Sequence, residues 1–350
     1  MARLFFCRKG DVMMGRPQSA GLTTGETALD ITIALDRYDR HFPFFDGTVK
    51  APDGIRYKAL QVGQSDQLRD GTDRHGQMIH DKAFDVAEFS MSTFLMAIDR
   101  GLPLIGIPIF PRRLFSQSCM FVRADSDIEH PRDLIGRRVG LSSFQTTLSL
   151  LAKGDLKFEY GVEWEQIKWL LTTDEKVKFQ PKPGVVIDRA AKGTDLGELL
   201  GRGEIDAIFM PHPPHSVMKG HVKTRRLFKD PNAEEQRYFN KYGWWPIMHI
   251  VAMHPDLVAK EPQLPHALME MFAQAHEICD DYYTDPNWSR LPWIRYAYEQ
   301  SQKAFGDPWV NGFKNNKANL EQFIMYSHDQ GLIGERYAAE RLFAASTLET

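Results

Sequence analysis

The sequence predicts an α/β protein of two lobes, each a mixed sheet flanked by helices, with a helical C-terminal tail. Three observations carry this expectation. Short runs of β-branched and aromatic residues alternate with stretches of helical spacing as far as Met253. Phe84-Asp85-Val86-Ala87 and Glu204-Ile205-Asp206-Ala207 echo each other weakly, each a strand fed by a helix, as two similar lobes would leave. From Pro262 onward Leu268, Met269, Phe272, His276 and later Leu320, Phe323 and Ile324 fall at helical spacing.

Taken in order, Leu29–Leu35 alternates and reads as a first strand, leaving through the polar cluster Asp36–His41. Ile55–Val62 is a second strand after the Pro52-Asp53-Gly54 turn. Ser65 to His80 is polar, with Leu68, Met78 and Ile79 as sparse anchors, and reads as helix. Phe84–Ser90 is a strand whose end carries a carboxylate and a hydroxyl, and Met91–Arg100 a short helix closed by Gly101. Leu104–Phe110 is a buried strand punctuated by Pro111-Arg112-Arg113, and Cys119–Arg123 a strand able to cross to a new domain. Arg138–Leu141 is a strand whose exit, Ser142–Thr147, opens an apolar helix. Trp164–Leu171 reads as strand or helix, Val185–Ile187 as extended, and Asp195–Leu200 as a short helix. Thr224–Asn240 is charged, and Tyr242–Met253 returns as a strand.

Length and composition bound the function. A chain of 350 residues, 43% hydrophobic and 25% charged, suits two soluble domains or one large α/β domain. A formal charge of -3 gives no reason to expect nucleic acid or an anionic membrane as partner. Cys7, Cys119 and Cys279 are scattered, forming neither a disulfide framework nor a zinc pattern, and fit a reducing compartment. Residues 1–27 lack the apolar run of about 7 to 15 residues of a secretory signal, so they are expected to be a poorly ordered extension of a cytoplasmic protein.

Candidate site residues lie where strands end. Ile205–Met210 is stopped by Pro211, Pro213 and Pro214, which places His212 and His215 just beyond a buried strand's carboxyl end. In open α/β sheets that rim is where ligands bind. His249 lies on an apolar strand, facing either the cleft or the core. One of Arg112 and Arg113 suits a carboxylate, because a guanidinium fork pairs bidentately; the alternative is a surface ion pair. Ser142, Ser143 and Thr146 stand at a helix start, a ready anion site or plain N-caps. Arg37 and Glu88 are strand-end charges that would bind substrate or pair elsewhere, and Trp244 would stack on an aromatic ring or fill the core.

These segments resemble a known family. Leu29–Ala34, Ala87–Ser92, Ile107–Arg113 with Phe115, Asp206-Ala207, Pro246–His249, Asp307-Pro308-Trp309 with Gly312, and Tyr326–Leu332 follow one another in an order similar to the 4,5-dihydroxyphthalate decarboxylase family. The resemblance covers roughly residues 29–335 and implies a type II periplasmic-binding-protein fold. It implies a first lobe of residues 28–123 and 248–350, a second of 124–247, and an active site in the cleft. It also implies non-oxidative loss of CO2 from a hydroxylated aromatic carboxylic acid, 4,5-dihydroxyphthalate giving 3,4-dihydroxybenzoate. Such chemistry needs a base at the catechol, an acid at the ring carbon and cations for the retained carboxylate, and histidine suits the proton work. No cofactor is expected, since a hydroxyl para to the departing group supplies the electrons. A divalent ion held by His212, His215, His249 and Glu88 is the alternative, although His-Pro-Pro-His is no established ligand spacing. The expected partner is a small aromatic carboxylate, and the aromatic excess of Trp288, Trp293, Tyr296 and Trp309 suggests a homo-oligomer. Two rival readings share the fold. One is a solute-binding or sensory module without turnover; the other, a thiamine pyrimidine synthase, would carry clustered cysteines that this sequence lacks.

Overall fold

A computed structural model describes residues 28–63, 73–191 and 193–350. The expected extension at 1–27 and the first half of the helix expected from Ser65 lie outside the described residues. Two mixed sheets form the frame. The first joins β1 (Leu29–Leu35), β2 (Ile55–Gln61), β3 (Val86–Ser90), β4 (Ile105–Ile107) and β11 (His249–Met253) in the order β2-β1-β3-β11-β4. The second joins β5 (Met120–Arg123), β6 (Arg138–Leu141), β7 (Lys168–Leu171), β8 (Ile187–Arg189), β9 (Ala207–Phe209) and β10 (Thr224–Arg226) in the order β10-β5-β9-β6-β7-β8.

Strand composition follows position. β3 and β11 are central and covered on both faces, so their residues from Val86 to Phe89 and from His249 to Met253 are all buried. That requirement explains continuous apolar runs interrupted only by Glu88 and His249. β2 lies at an edge, and its alternation of half-buried and exposed residues matches one covered face. The helix Met91–Asp99 springs directly from β3 and is buried through Ala97.

Two expectations are corrected. β5, assigned with the first lobe when the boundary is drawn after Arg123, pairs with β9 and β10 in the second sheet, so the chain crosses between β4 and β5. The strand expected from Tyr242 begins only at His249, because Gly243 at φ 80 ends the helix Pro231–Tyr242. The charged stretch before it is that helix together with β10. The described part of the Ser65–His80 segment is helical as expected, an α-turn at Arg74–Gly76 running into a π-turn at Gln77–Asp81 that Lys82 ends at φ 48.

The two crossing segments pair with each other: Leu114 N donates to Pro246 O at 3.1 Å and Met248 N to Arg112 O at 2.9 Å. The tail then clamps both lobes. The helix Phe313–Asp329 lies on the second-lobe helix Thr147–Phe158, where a Cβ on Gly154 would meet the Tyr326 ring at 2.0 Å. Any side chain at that position would push the tail away from the helix. Trp288, Trp293 and Tyr296 stand exposed on the tail's surface. Among the described residues no helix is long and apolar enough to cross a membrane.

Candidate active site

The carboxyl rim of the first sheet carries a wired pair of side chains. Glu88 and Ser90 lie on one face of β3, and His249 is Ser90's cross-strand partner, so register alone puts all three on the same side. His249 Nδ1 is hydrogen-bonded to Glu88 Oε1. Glu88 Oε2 accepts from Asp36 N at 3.0 Å, and Arg74 lies 3.8 Å away while donating through Nε to Glu88 O at 2.8 Å. His75, stacked on Phe89 at 4.9 Å, accepts from Ser90 N at 3.2 Å.

Electrostatics fix the protonation of this pair. Burial pushes the Glu88 carboxyl up, but the Arg74 guanidinium and the hydrogen bond with His249 outweigh it and hold it well below the usual range. Burial lowers His249 despite the carboxylate beside it. Glu88 is therefore ionised and His249 neutral. An ionised carboxylate only accepts, so Nδ1 carries the proton and Nε2 presents its lone pair. Nε2 bonds to nothing among the described residues, and it is not among the sealed polar atoms. The arrangement is a base oriented by a carboxylate.

Arg112 and Arg113 separate cleanly. Arg113 is buried and committed, donating to Trp245 O and Val310 O at 2.9 Å each and to Asn316 Oδ1 at 2.7 Å, so it holds the crossing segments to the tail. Arg112 is half-buried, and its guanidinium makes no hydrogen bond or ion pair among the described residues, although its charge acts on both His249 and Tyr38. Arg37 is exposed, its guanidinium 5.6 Å from the Phe42 ring centroid. Trp244 is half-buried against Tyr242, with an indole N–H that finds no partner among the described residues.

The second-lobe rim is built differently. The N–H groups of Phe144 and Gln145 are taken by the chain's own Glu175 carboxylate at 2.7 and 3.2 Å, so the helix-start loop already holds an anion. The Ser142 carbonyl accepts from Thr172 N and Thr173 N beyond β7, the Ser143 carbonyl from Thr146 Oγ1, and the Thr146 hydroxyl meets Ser149 Oγ at 2.6 Å rather than capping the helix. Buried Lys153 donates to Phe144 O at 2.6 Å and fixes the loop from below. The next residue reaches the other lobe: Thr147 Oγ1 meets Ser90 Oγ at 2.8 Å and accepts from Ser92 N at 3.2 Å. His212 and His215 are exposed beyond β9, with His215 opening a short helix. Among the described residues no three His, Cys, Asp or Glu side chains gather as a metal site would require, so the set His212, His215, His249 and Glu88 does not assemble.

Relatives of known activity decide the class. The 4,5-dihydroxyphthalate decarboxylase of Comamonas testosteroni is 30% identical over 332 residues, covering 92% of this chain and 98% of that protein. The chain belongs to the 4,5-dihydroxyphthalate decarboxylase family. A second member, from Pseudomonas putida, is 27% identical over 223 residues, covering 62% of this chain and 83% of its own. The family described as NMT1/THI5 like matches residues 68–175. Two solved structures share the fold: the periplasmic aliphatic sulphonate binding protein SsuA of Escherichia coli, and a putative periplasmic sulfonate-binding protein of Methylobacillus flagellatus. The first has a TM-score of 0.54 at 11% identity and covers 90% of this chain and 91% of its own; the second has 0.58, 12%, 93% and 95%. This chain is thus a carboxy-lyase on a periplasmic-binding-protein-like frame.

Within this decarboxylase, Glu88 and His249 were singled out from the sequence, together only as members of a candidate metal set, and their partners were missed. Arg74 and His75 follow the 64–72 segment in a polar stretch without periodicity, so nothing marked them as buried. Tyr38 and His41 belong to a polar cluster that was visible, but a strand exit does not show which members turn inward. Alternation offered one signal: a carboxylate inside the apolar run Val86–Phe89 needs a buried partner.

Proposed function

We propose that this decarboxylase converts 4,5-dihydroxyphthalate to 3,4-dihydroxybenzoate and CO2 in the cleft between the lobes. The observation that carries the reading is a neutral His249, oriented by ionised Glu88, beside the uncommitted Arg112. His249 Nε2 takes the proton of the hydroxyl para to the departing carboxylate, and the ring carbon accepts a proton from the second-lobe rim, where His212 and His215 stand. The carbon–carbon bond then breaks, CO2 leaves, and the electron pair returns through the ring to the oxygen, which regains its proton from His249. One proton is consumed overall and replaces CO2 on the ring. Arg112 pairs with the retained carboxylate. Positioned acid–base groups of this kind contribute about 10²–10⁴-fold, and orientation in the cleft supplies more.

The test follows CO2 and 3,4-dihydroxybenzoate release by the purified chain. Turnover that collapses in His249→Ala, with substrate still bound, is the expected result. Tight binding of the dihydroxyphthalate by the wild type without CO2 release would overturn the reading in favour of a binding module.

A further inference from the structure

One buried donor near the catalytic pair has no partner. The Tyr38 hydroxyl is sealed from solvent and makes no hydrogen bond among the described residues, whereas buried hydroxyls are nearly always paired. Its place is fixed by the backbone. Asp36 N is anchored on Glu88 Oε2 at 3.0 Å, Tyr38 N donates to Asp36 O at 3.1 Å, and His41 N donates to Tyr38 O at 2.9 Å. The ring is clamped as well. The Arg40 guanidinium lies 4.2 Å from both the Tyr38 and the Trp309 ring centroids, and Arg40 Nε donates at 2.6 Å to Pro111 O, the residue before Arg112. Asp36, Arg40 and His41 therefore hold this residue in place, and the charges of both Glu88 and Arg112 act on its hydroxyl.

We infer that Tyr38 is a specificity-determining donor, giving its hydrogen bond to the substrate hydroxyl oxygen whose proton His249 removes. The inference rests on the reading above and adds a residue to it. As that proton leaves and CO2 departs, negative charge develops on the oxygen, and a fixed donor is most useful where charge appears. Burial, and then Glu88, push the phenol's own ionisation far above its usual 10.0, so it remains a donor throughout. Ring acids lacking a hydroxyl at this position leave the donor unpaired and are disfavoured for that reason.

The test is Tyr38→Phe, which keeps the ring and its contact with Arg40. kcat for 4,5-dihydroxyphthalate should fall about 10²-fold with a smaller change in KM. Affinity for the product 3,4-dihydroxybenzoate should weaken about tenfold, while affinity for phthalate, which has no hydroxyl, stays unchanged. Equal loss of affinity for both ligands, or turnover within about twofold of wild type, would overturn the inference, the second result meaning that a bound water satisfies the phenol. The two readings fail separately. Wild-type turnover with an unaffected Tyr38→Phe removes only Tyr38, whereas binding without CO2 release removes the decarboxylation reading and leaves the two-ligand comparison to judge Tyr38.

Discussion

The two rims of the cleft use opposite strategies. On the first lobe, charge is buried and fully wired: Glu88 at 0% exposure is held by His249, Arg74 and the Asp36 amide. On the second lobe the histidines are exposed, and buried Gln145 and Lys153 with half-buried Glu175 serve to hold a loop. A buried charge is tolerated only with a complete set of partners, so the first rim is preorganised for one geometry.

That contrast predicts unequal sensitivity. Glu88→Gln and His249→Ala should lower kcat by about 10³–10⁴-fold, because the amide no longer holds the Nδ1–H tautomer and the alanine removes the base. Steady-state rates with melting curves check this; a loss under tenfold in a folded protein would move the base elsewhere. In wild type the acid limb of kcat/KM should fall below pH 6.5, since His249 is active when neutral and burial lowers it from that value. The arginine pair should split by mechanism. Arg112→Ala should raise KM about 10²-fold at unchanged melting temperature, whereas Arg113→Ala should cost about 3 kcal/mol of stability by stranding buried Asn316 Oδ1 and removing one of the two donors to each of Trp245 O and Val310 O. His212→Ala and His215→Ala should each lower kcat by about tenfold, and an effect as large as that of His249→Ala would erase the distinction between the rims.

The effect furthest from the chemistry belongs to the far end of the Thr147–Phe158 helix. Asp155 is buried and accepts from Ser116 Oγ at 2.6 Å, Tyr326 OH at 3.1 Å and Tyr238 OH at 3.3 Å, and burial raises its carboxyl from 3.8 to about 7. A folded-state value above the unfolded one gives stability that is present below about pH 4 and lost as pH rises toward 7. Relative to Asp155→Asn, wild-type unfolding free energy should fall by up to about 1.4 kcal/mol per pH unit across that window, on top of the opposite slope that buried His41, His75 and His276 give both proteins. Parallel slopes in denaturant titrations of both proteins would refute it.

Much of the frame was legible because burial leaves a mark on composition. Val86–Phe89, broken only by Glu88, and Ile250–Met253 are apolar runs, and that pattern places them centrally in a sheet. The lobe boundary was misread at Met120–Arg123, because a strand's sequence records how much of it is covered and not which sheet covers it. Glu88 and His249 were each visible as polar interruptions, but their partnership spans 161 positions and depends on β11 lying between β3 and β4. The choice between Arg112 and Arg113 was equally hidden. It turns on acceptors from Trp245, Val310 and Asn316 that converge only in the folded chain.

The position of β11 has a consequence for biosynthesis. Its place in the first sheet, between β3 and β4, stays vacant until the chain has left the ribosome past Met253, by which time all the strands of the second sheet have emerged. A nascent protein therefore carries an open slot flanked by apolar edges, and a stretch such as Val86–Phe89 is a target for holdase chaperones until the slot closes. The strand that closes it also delivers the imidazole to its carboxylate. Sheet completion and acquisition of the base are one event, so a truncated translation product ending before that strand has neither.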